Sequence, residues 1–166
     1  MSAWVRELFD RHYAEVVRHV HYLTGDRALA EDIAQETFVR MYLTCPSPPE
    51  HPPSWLRRVA ARLAYNELRA GRRRERREAA YAAAASPAER EWEPASDLRE
   101  ALERLDPRDR TLLLLRAEGW AYREIADVVG VDAASVGTLL ARARRRLAAR
   151  LNGVTAEVNP KGGGAS

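Results

Sequence analysis

A chain of 166 residues can bury one medium core or two small ones, and its 46% hydrophobic content excludes a fully disordered chain. With aromatics at only 7%, that content favours aliphatic helical packing over an aromatic-rich sheet. The formal charge of +3 is the small difference between 27 basic and 24 acidic side chains, so the distribution of charge says more than the total.

Trp4, Leu8, Tyr13, Val16, Val17, Val20 and Leu23 return every three or four positions and predict a first helix over 4–23. Gly25 and Asp26 predict a turn, with Asp26 capping a second helix over 27–42. Leu29, Ile33 and Phe38, with Ala30, Ala34 and Met41, give that helix a packing face. Asp32, Gln35 and Glu36 fall on its polar side. Five prolines between Thr44 and Pro53 predict a stiff loop, because each fixes φ and lacks a donor. A third helix is expected from Ser54 to Arg69 or beyond, burying Leu56, Val59, Ala60, Leu63, Ala64 and Leu68.

Between Glu78 and Ser96 the composition turns alanine-rich and acidic with no amphipathic stripe, which predicts a linker carrying Tyr81 and Trp92 as docking points. Four further helices are expected near 97–105, 107–118, 122–129 and 133–151. Pro107 opens one of them, and Gly130, Val131 and Asp132 form the turn of a helix-turn-helix. The expected fold is all-α: two small helical domains, 1–77 and 97–151, joined by a flexible linker over 78–96. The second domain is the helix-turn-helix, and a flexible tail follows over 152–166.

Charge follows the same division. Residues 51–77 hold nine basic and two acidic side chains, and residues 136–166 hold six and one. Nearly all are arginine, whose planar donor fork suits phosphates and base edges. Arg57, Arg58 and Arg62 on the third helix, with Arg69, Arg72, Arg73 and Arg74 at its end, form a field that would attract DNA phosphates. A solvated helical surface remains the competing reading.

Cys45 is the one cysteine, so no intrachain disulfide can form, and with four histidines it gives no recognised zinc spacing. The His, Cys, Asp and Glu residues form no nucleophile–base pair, so no enzyme, cofactor or metal is expected. No signal peptide or bilayer-length apolar run is apparent, and the expectation is a cytoplasmic chain without membrane insertion.

Three phrases carry a family resemblance. LTGDRALAEDIAQETFVRMY (Leu23–Tyr42), SWLRRVAARLAYNELRAGRRR (Ser54–Arg74) and LDPRDRTLLLLRAEGWAYREIADVVGVDAASVGTLLARARRRL (Leu105–Leu147) stand in order at compatible separations. Together they resemble the extracytoplasmic-function sigma factors, members of the sigma-70 family of bacterial RNA polymerase subunits. The resemblance implies a core-binding and promoter-melting domain followed by a promoter-binding helix-turn-helix. The expected partners are RNA polymerase core, promoter DNA and an anti-sigma factor.

It also implies roles for residues. Asp32, Gln35 and Glu36 would face the polymerase, as carboxylates and an amide suited to basic and polar partners. Ser47, Glu50 and His51 in the proline loop would read a flipped base of the minus-ten element. Trp55 could stack on it, although a core anchor is the stronger reading of that tryptophan. Ala133, Ala134, Ser135, Thr138, Arg142 and Arg145 would face the major groove of the minus-thirty-five element. The chain departs from the family where Ser135-Val136-Gly137-Thr138-Leu139 replaces the common Thr-Val-Lys-Ser-Arg, and at Arg62 and Asn66. Weaker or altered minus-thirty-five binding is expected. A stand-alone helix-turn-helix regulator is the alternative, and it leaves the 23–42 phrase unexplained.

Overall fold

The computed structural model describes residues 2–81 and 94–158. Among them the chain is all-α, with α1 (Ala3–Thr24), α2 (Arg27–Thr44), α3 (Pro52–Tyr81), α4 (Pro94–Arg104), α5 (Pro107–Ala117), α6 (Tyr122–Val129) and α7 (Ala133–Val158). Two helical subdomains result, α1–α3 and α4–α7. Of the linker expected over 78–96, residues 78–81 belong to α3 and 94–96 to α4, while 82–93, with Trp92, lie outside the described residues; of the tail expected over 152–166, residues 152–158 belong to α7 and the rest lies outside them.

Local chemistry sets the helix ends. Gly25 takes φ 71° and its N–H closes onto His21 O, which stops α1. The Asp26 side chain then accepts from Leu29 N at 3.0 Å and starts α2. The left-handed turn at Gly25 is also approached from the second subdomain. A Cβ added there would meet Arg110 Nη2 at 3.4 Å and Glu103 Oε1 at 3.5 Å.

In the first subdomain, Val16, Val17, Val20 and Leu23 of α1 meet Ile33, Ala34, Phe38 and Met41 of α2 and Leu56, Ala60, Ala61 and Ala64 of α3, all buried. The alanines let the helices approach closely. Leu23, Met41 and Leu56 fill what remains, each contributing about 1.5–3 kcal/mol by burial. Phe9 stacks on Tyr13 at 4.6 Å and meets Phe38 edge-on at 5.0 Å.

The second subdomain buries Leu112 and Leu115 of α5, Ile125 and Val129 of α6, and Val136, Leu140 and Ala143 of α7. Gly130, at φ 70°, closes α6 through its N–H to Ala126 O at 2.9 Å. Val131 N bonds the same oxygen at 3.1 Å, which fixes the turn into α7. Asp109, 1% exposed, accepts from Arg146 at 2.6 Å and ties α5 to α7.

The two subdomains are not held apart. α3 packs against α5 and α6, α1 touches α5, and the buried residues of both halves form one continuous cluster. Expectations about location narrow in one respect. No helix among the described residues is long and apolar enough to cross a membrane. That finding concerns helices and not compartment, so the cytoplasmic assignment is withdrawn.

Candidate functional site

Three surfaces hold the residues singled out from the sequence. On α2, the packing face Ala30, Ile33, Ala34, Phe38 and Met41 is buried, which turns Asp32, Gln35 and Glu36 outward. Glu36 pairs with Arg40 at 2.8 Å and Glu31 with Arg27 at 3.3 Å, both one helical turn apart and exposed. The same outward side ends in apolar residues: Val39 is 49% exposed, Tyr42 48% and Leu43 72%. Sequence reasoning missed this extension. Its signal was present, because Val39 and Leu43 follow Gln35 and Glu36 at helical spacing and add nothing to the packing face.

The loop after α2 exposes Ser47, Glu50 and His51, and His51 Nε2 lies 3.9 Å from Glu50 Oε1. Trp55 is partly buried against the core, and its backbone N–H bonds His51 O at 3.1 Å, so it anchors the loop to α3. Along α3, Arg58, Arg73 and Arg74 are exposed, and the Arg69 guanidinium lies 5.4 Å from the Tyr65 ring centroid. Arg72 and Arg74 line an open cleft of about 440 Å³ together with Glu67, Glu75 and Glu103.

On α7, Ala133, Ala134, Ser135, Thr138, Arg142 and Arg145 are all exposed, opposite buried Val136, Leu140 and Ala143. One helix therefore presents small and hydroxyl side chains near its start and guanidiniums farther along. Arg146 of the same helix is engaged by buried Asp109, and that hydrogen bond raises its pKa. Gly137 has room for a side chain, since an added Cβ would meet only Tyr122 Cε2, at 3.5 Å.

Two of the α3 arginines reach the second subdomain while staying partly or wholly exposed. Arg57 Nη2 lies 3.2 Å from Glu118 Oε2, and Arg62 Nη2 donates to Asp127 O at 3.4 Å. Glu118 sits just after α5, and His19 Nδ1 of α1 reaches the same carboxylate oxygen at 3.1 Å. The His19 ring stacks on Trp120 with centroids 5.7 Å apart and planes 9° apart, and Arg57 lies 5.6 Å from the same indole centroid. Burial pushes the Glu118 carboxyl up, but the hydrogen bonds and charges of His19 and Arg57 outweigh that and hold it below its ordinary value. This cluster was not foreseen. Its members come from three distant places in the chain, and only His19, a polar residue inside the α1 apolar stripe, hinted at it.

Among the described residues no group of three or more His, Cys, Asp or Glu could hold a metal ion. The surfaces that the geometry does provide are an acidic face ending in apolar residues, a cationic helix and a helix-turn-helix.

Comparison with known proteins gives these surfaces a family. The family model for sigma-70 region 2 matches residues 8–74, and that for sigma-70 region 4 matches residues 95–147. The chain is 31% identical over 149 residues to the RNA polymerase sigma factor CarQ of Myxococcus xanthus, covering 84% of this chain and 82% of that one. It is 31% identical over 164 residues to the ECF RNA polymerase sigma factor SigE of Mycolicibacterium smegmatis, covering 89% and 61%. Against four curated relatives, SigE among them, the chain spans between 34% and 61% of the relative's length. In fold it resembles the sigma factor RpoE of Bartonella quintana, solved in complex with the anti-sigma factor NepR, with a TM-score of 0.59 at 21% identity over 89% of this chain and 96% of that one. With both sigma-70 regions matched in order, 82% of CarQ covered and an ECF sigma factor among the 31%-identical relatives, the chain belongs to the extracytoplasmic-function sigma factors of the sigma-70 family.

Proposed function

We propose that this chain binds bacterial RNA polymerase core and directs it to promoter DNA, opening the duplex for initiation. The observation that carries the reading is the outward side of α2. Asp32, Gln35 and Glu36 run directly into exposed Val39, Tyr42 and Leu43, a combination a solvated helix has no need of. Carboxylates at one end can accept from basic side chains, while the apolar end can exclude water from the contact.

The DNA role is assigned to two surfaces. Arg57, Arg58, Arg62, Arg69, Arg72, Arg73 and Arg74 would hold phosphates near the minus-ten element, with Ser47, Glu50, His51 and Trp55 beside the flipped base. Ala133, Ala134, Ser135, Thr138, Arg142 and Arg145 would enter the major groove at the minus-thirty-five element. An anti-sigma factor is a further proposed partner, by likeness to the family and to the RpoE–NepR complex.

Reconstitution tests this reading. The chain is combined with polymerase core and a broad promoter library, and transcripts are sequenced. Initiation at a defined subset of promoters supports it. DNA binding with no initiation at any promoter would assign the chain to stand-alone regulation instead.

A further inference from the structure

The start of α5 and the middle of α7 are joined by one charged contact whose partners differ in exposure. Asp109, in the first turn of α5, is 1% exposed, while the Arg146 side chain that donates to it at 2.6 Å is 55% exposed. Only Nη1 of the guanidinium makes this bond, and Asp109 Oδ1 has no protein hydrogen-bond partner. A buried ion pair adds stability only when its remaining lone pairs are also satisfied. This pair buries the acid, leaves one of its oxygens unmatched and keeps most of the base in solvent.

Arg146 also falls on the side of α7 assigned to DNA. At about 100° per residue, Ser135, Arg142 and Arg146 project within about 40° of one another. All three are exposed. Leu139, on the same side, is partly buried against the core and offers no charge there.

We propose that Asp109 is a positioning residue for DNA binding: it holds the Arg146 guanidinium by Nη1, so that the opposite edge, Nε and Nη2, meets a phosphate of the duplex lying along α7. The inference rests on the reading of α7 as the helix that enters the duplex. An arginine that is not held loses the freedom of several rotatable bonds when it meets a phosphate. Held by Asp109, Arg146 has already lost that freedom in the folded chain, and its planar fork is aimed. The Asp106 carboxylate, just before α5, adds a weaker attraction on the same guanidinium.

Positioning and charge predict opposite signs for the loss of Asp109. Judged by charge alone, removing a carboxylate strengthens the field that attracts DNA and tightens binding. Asp109→Asn keeps the side-chain shape but leaves a neutral hydrogen bond, about half as strong as the charged one. Positioning therefore predicts weaker binding in Asp109→Asn, by about two- to tenfold. The salt slope should hold there, because Arg146 keeps its charge.

The test measures binding of the full chain to a mixed-sequence 30-base-pair duplex by fluorescence anisotropy across a salt series, with the melting temperature read for each variant. Arg146→Met should weaken binding and flatten the logarithmic salt slope by about 0.9, and Arg146→Lys should restore the slope. Asp109→Asn should weaken binding in the parent and leave it unweakened in Arg146→Met, a dependence that a purely structural tie would not show. Arg146 is exposed, so its variants decide the matter even where Asp109→Asn fails to fold. An unchanged slope in Arg146→Met, or unchanged or tighter binding in folded Asp109→Asn, overturns the proposal. Arg142→Ala separates this inference from the reading beneath it. Weaker binding in Arg142→Ala with none in Arg146→Met sinks the inference alone. No change in either variant removes α7 from the DNA surface and sinks both.

Discussion

Arg57 of α3 and Glu118 beyond α5 stand 3.2 Å apart although 61 positions separate them in the chain. Their contact places a proposed phosphate-binding side chain against the subdomain that carries the helix-turn-helix. The contact couples the two surfaces proposed to bind DNA.

The Glu118 carboxyl gives the coupling a direction in pH. Burial raises its pKa, the His19 and Arg57 contacts lower it more, and the result lies below the ordinary 4.5. A depressed carboxylate stabilises the packing of the two subdomains fully above 4.5, and that contribution is lost as pH falls through the native value. His19 and Tyr22 of α1 and Arg57 of α3 face the group, with Glu15 and Arg18 lining the same cleft. The subdomain distance should therefore lengthen on acidification below about pH 4.5. In Glu118→Gln that step should be absent, and a step of equal size in the variant would assign the effect to other groups.

On α2, Asp32→Lys with Glu36→Lys should weaken association with polymerase core by tenfold or more, about 1.4 kcal/mol for each tenfold. Affinity for free DNA should not fall. Both residues are exposed, so the melting temperature should barely move, given that such substitutions stay within about 0.5 kcal/mol. Surface-plasmon measurements with core and with duplex DNA separate the two effects.

Leu43→Ser tests the apolar end of the same side. Leu43 is 72% exposed and contributes little to the core, so thermal stability should hold. Polymerase affinity should drop several-fold, because a desolvated apolar contact is lost, at about 25 cal/mol per Å² of covered area. A drop in stability without a drop in affinity would place Leu43 in folding and not in recognition.

Replacing Arg72, Arg73 and Arg74 together with alanine should lower duplex affinity and flatten its dependence on salt by up to about 2.7 in logarithmic slope, at 0.9 per phosphate. Fluorescence anisotropy across a salt series reads both quantities. An unchanged slope would mean that these guanidiniums are solvated and touch no phosphate.

Gly137→Lys should strengthen binding to minus-thirty-five duplexes, since it restores a cation where the family commonly presents one. The site has room for the side chain. Relative to glycine, lysine also favours the helix by about 0.5–1 kcal/mol, so the melting temperature should rise. Leu139→Arg is the less clean half of that comparison, because Leu139 is partly buried against the core. Affinity and salt response unchanged in Gly137→Lys would remove position 137 from the DNA surface.

How far these surfaces were legible in the sequence depended on the range of the signal. The Asp26 cap and the Gly130 turn are set within a few residues, and each stands in the structure as the sequence implied. Helix ends without a local signal were harder. α3 continues to Tyr81 because arginine is a good helix former even where no apolar stripe marks the path, and α7 runs through Gly153 to Val158. The Glu118 cluster was illegible for a different reason. A carboxylate, a histidine and an arginine acquire their roles only through tertiary packing, and no spacing along the chain encodes that meeting.

Co-elution with bacterial RNA polymerase core, freed of other sigma subunits, tests the central claim most directly. The account predicts a one-to-one complex that competes with an established sigma subunit and that the Asp32→Lys, Glu36→Lys chain fails to form. No complex, under conditions where the established subunit assembles with the same core, would contradict it.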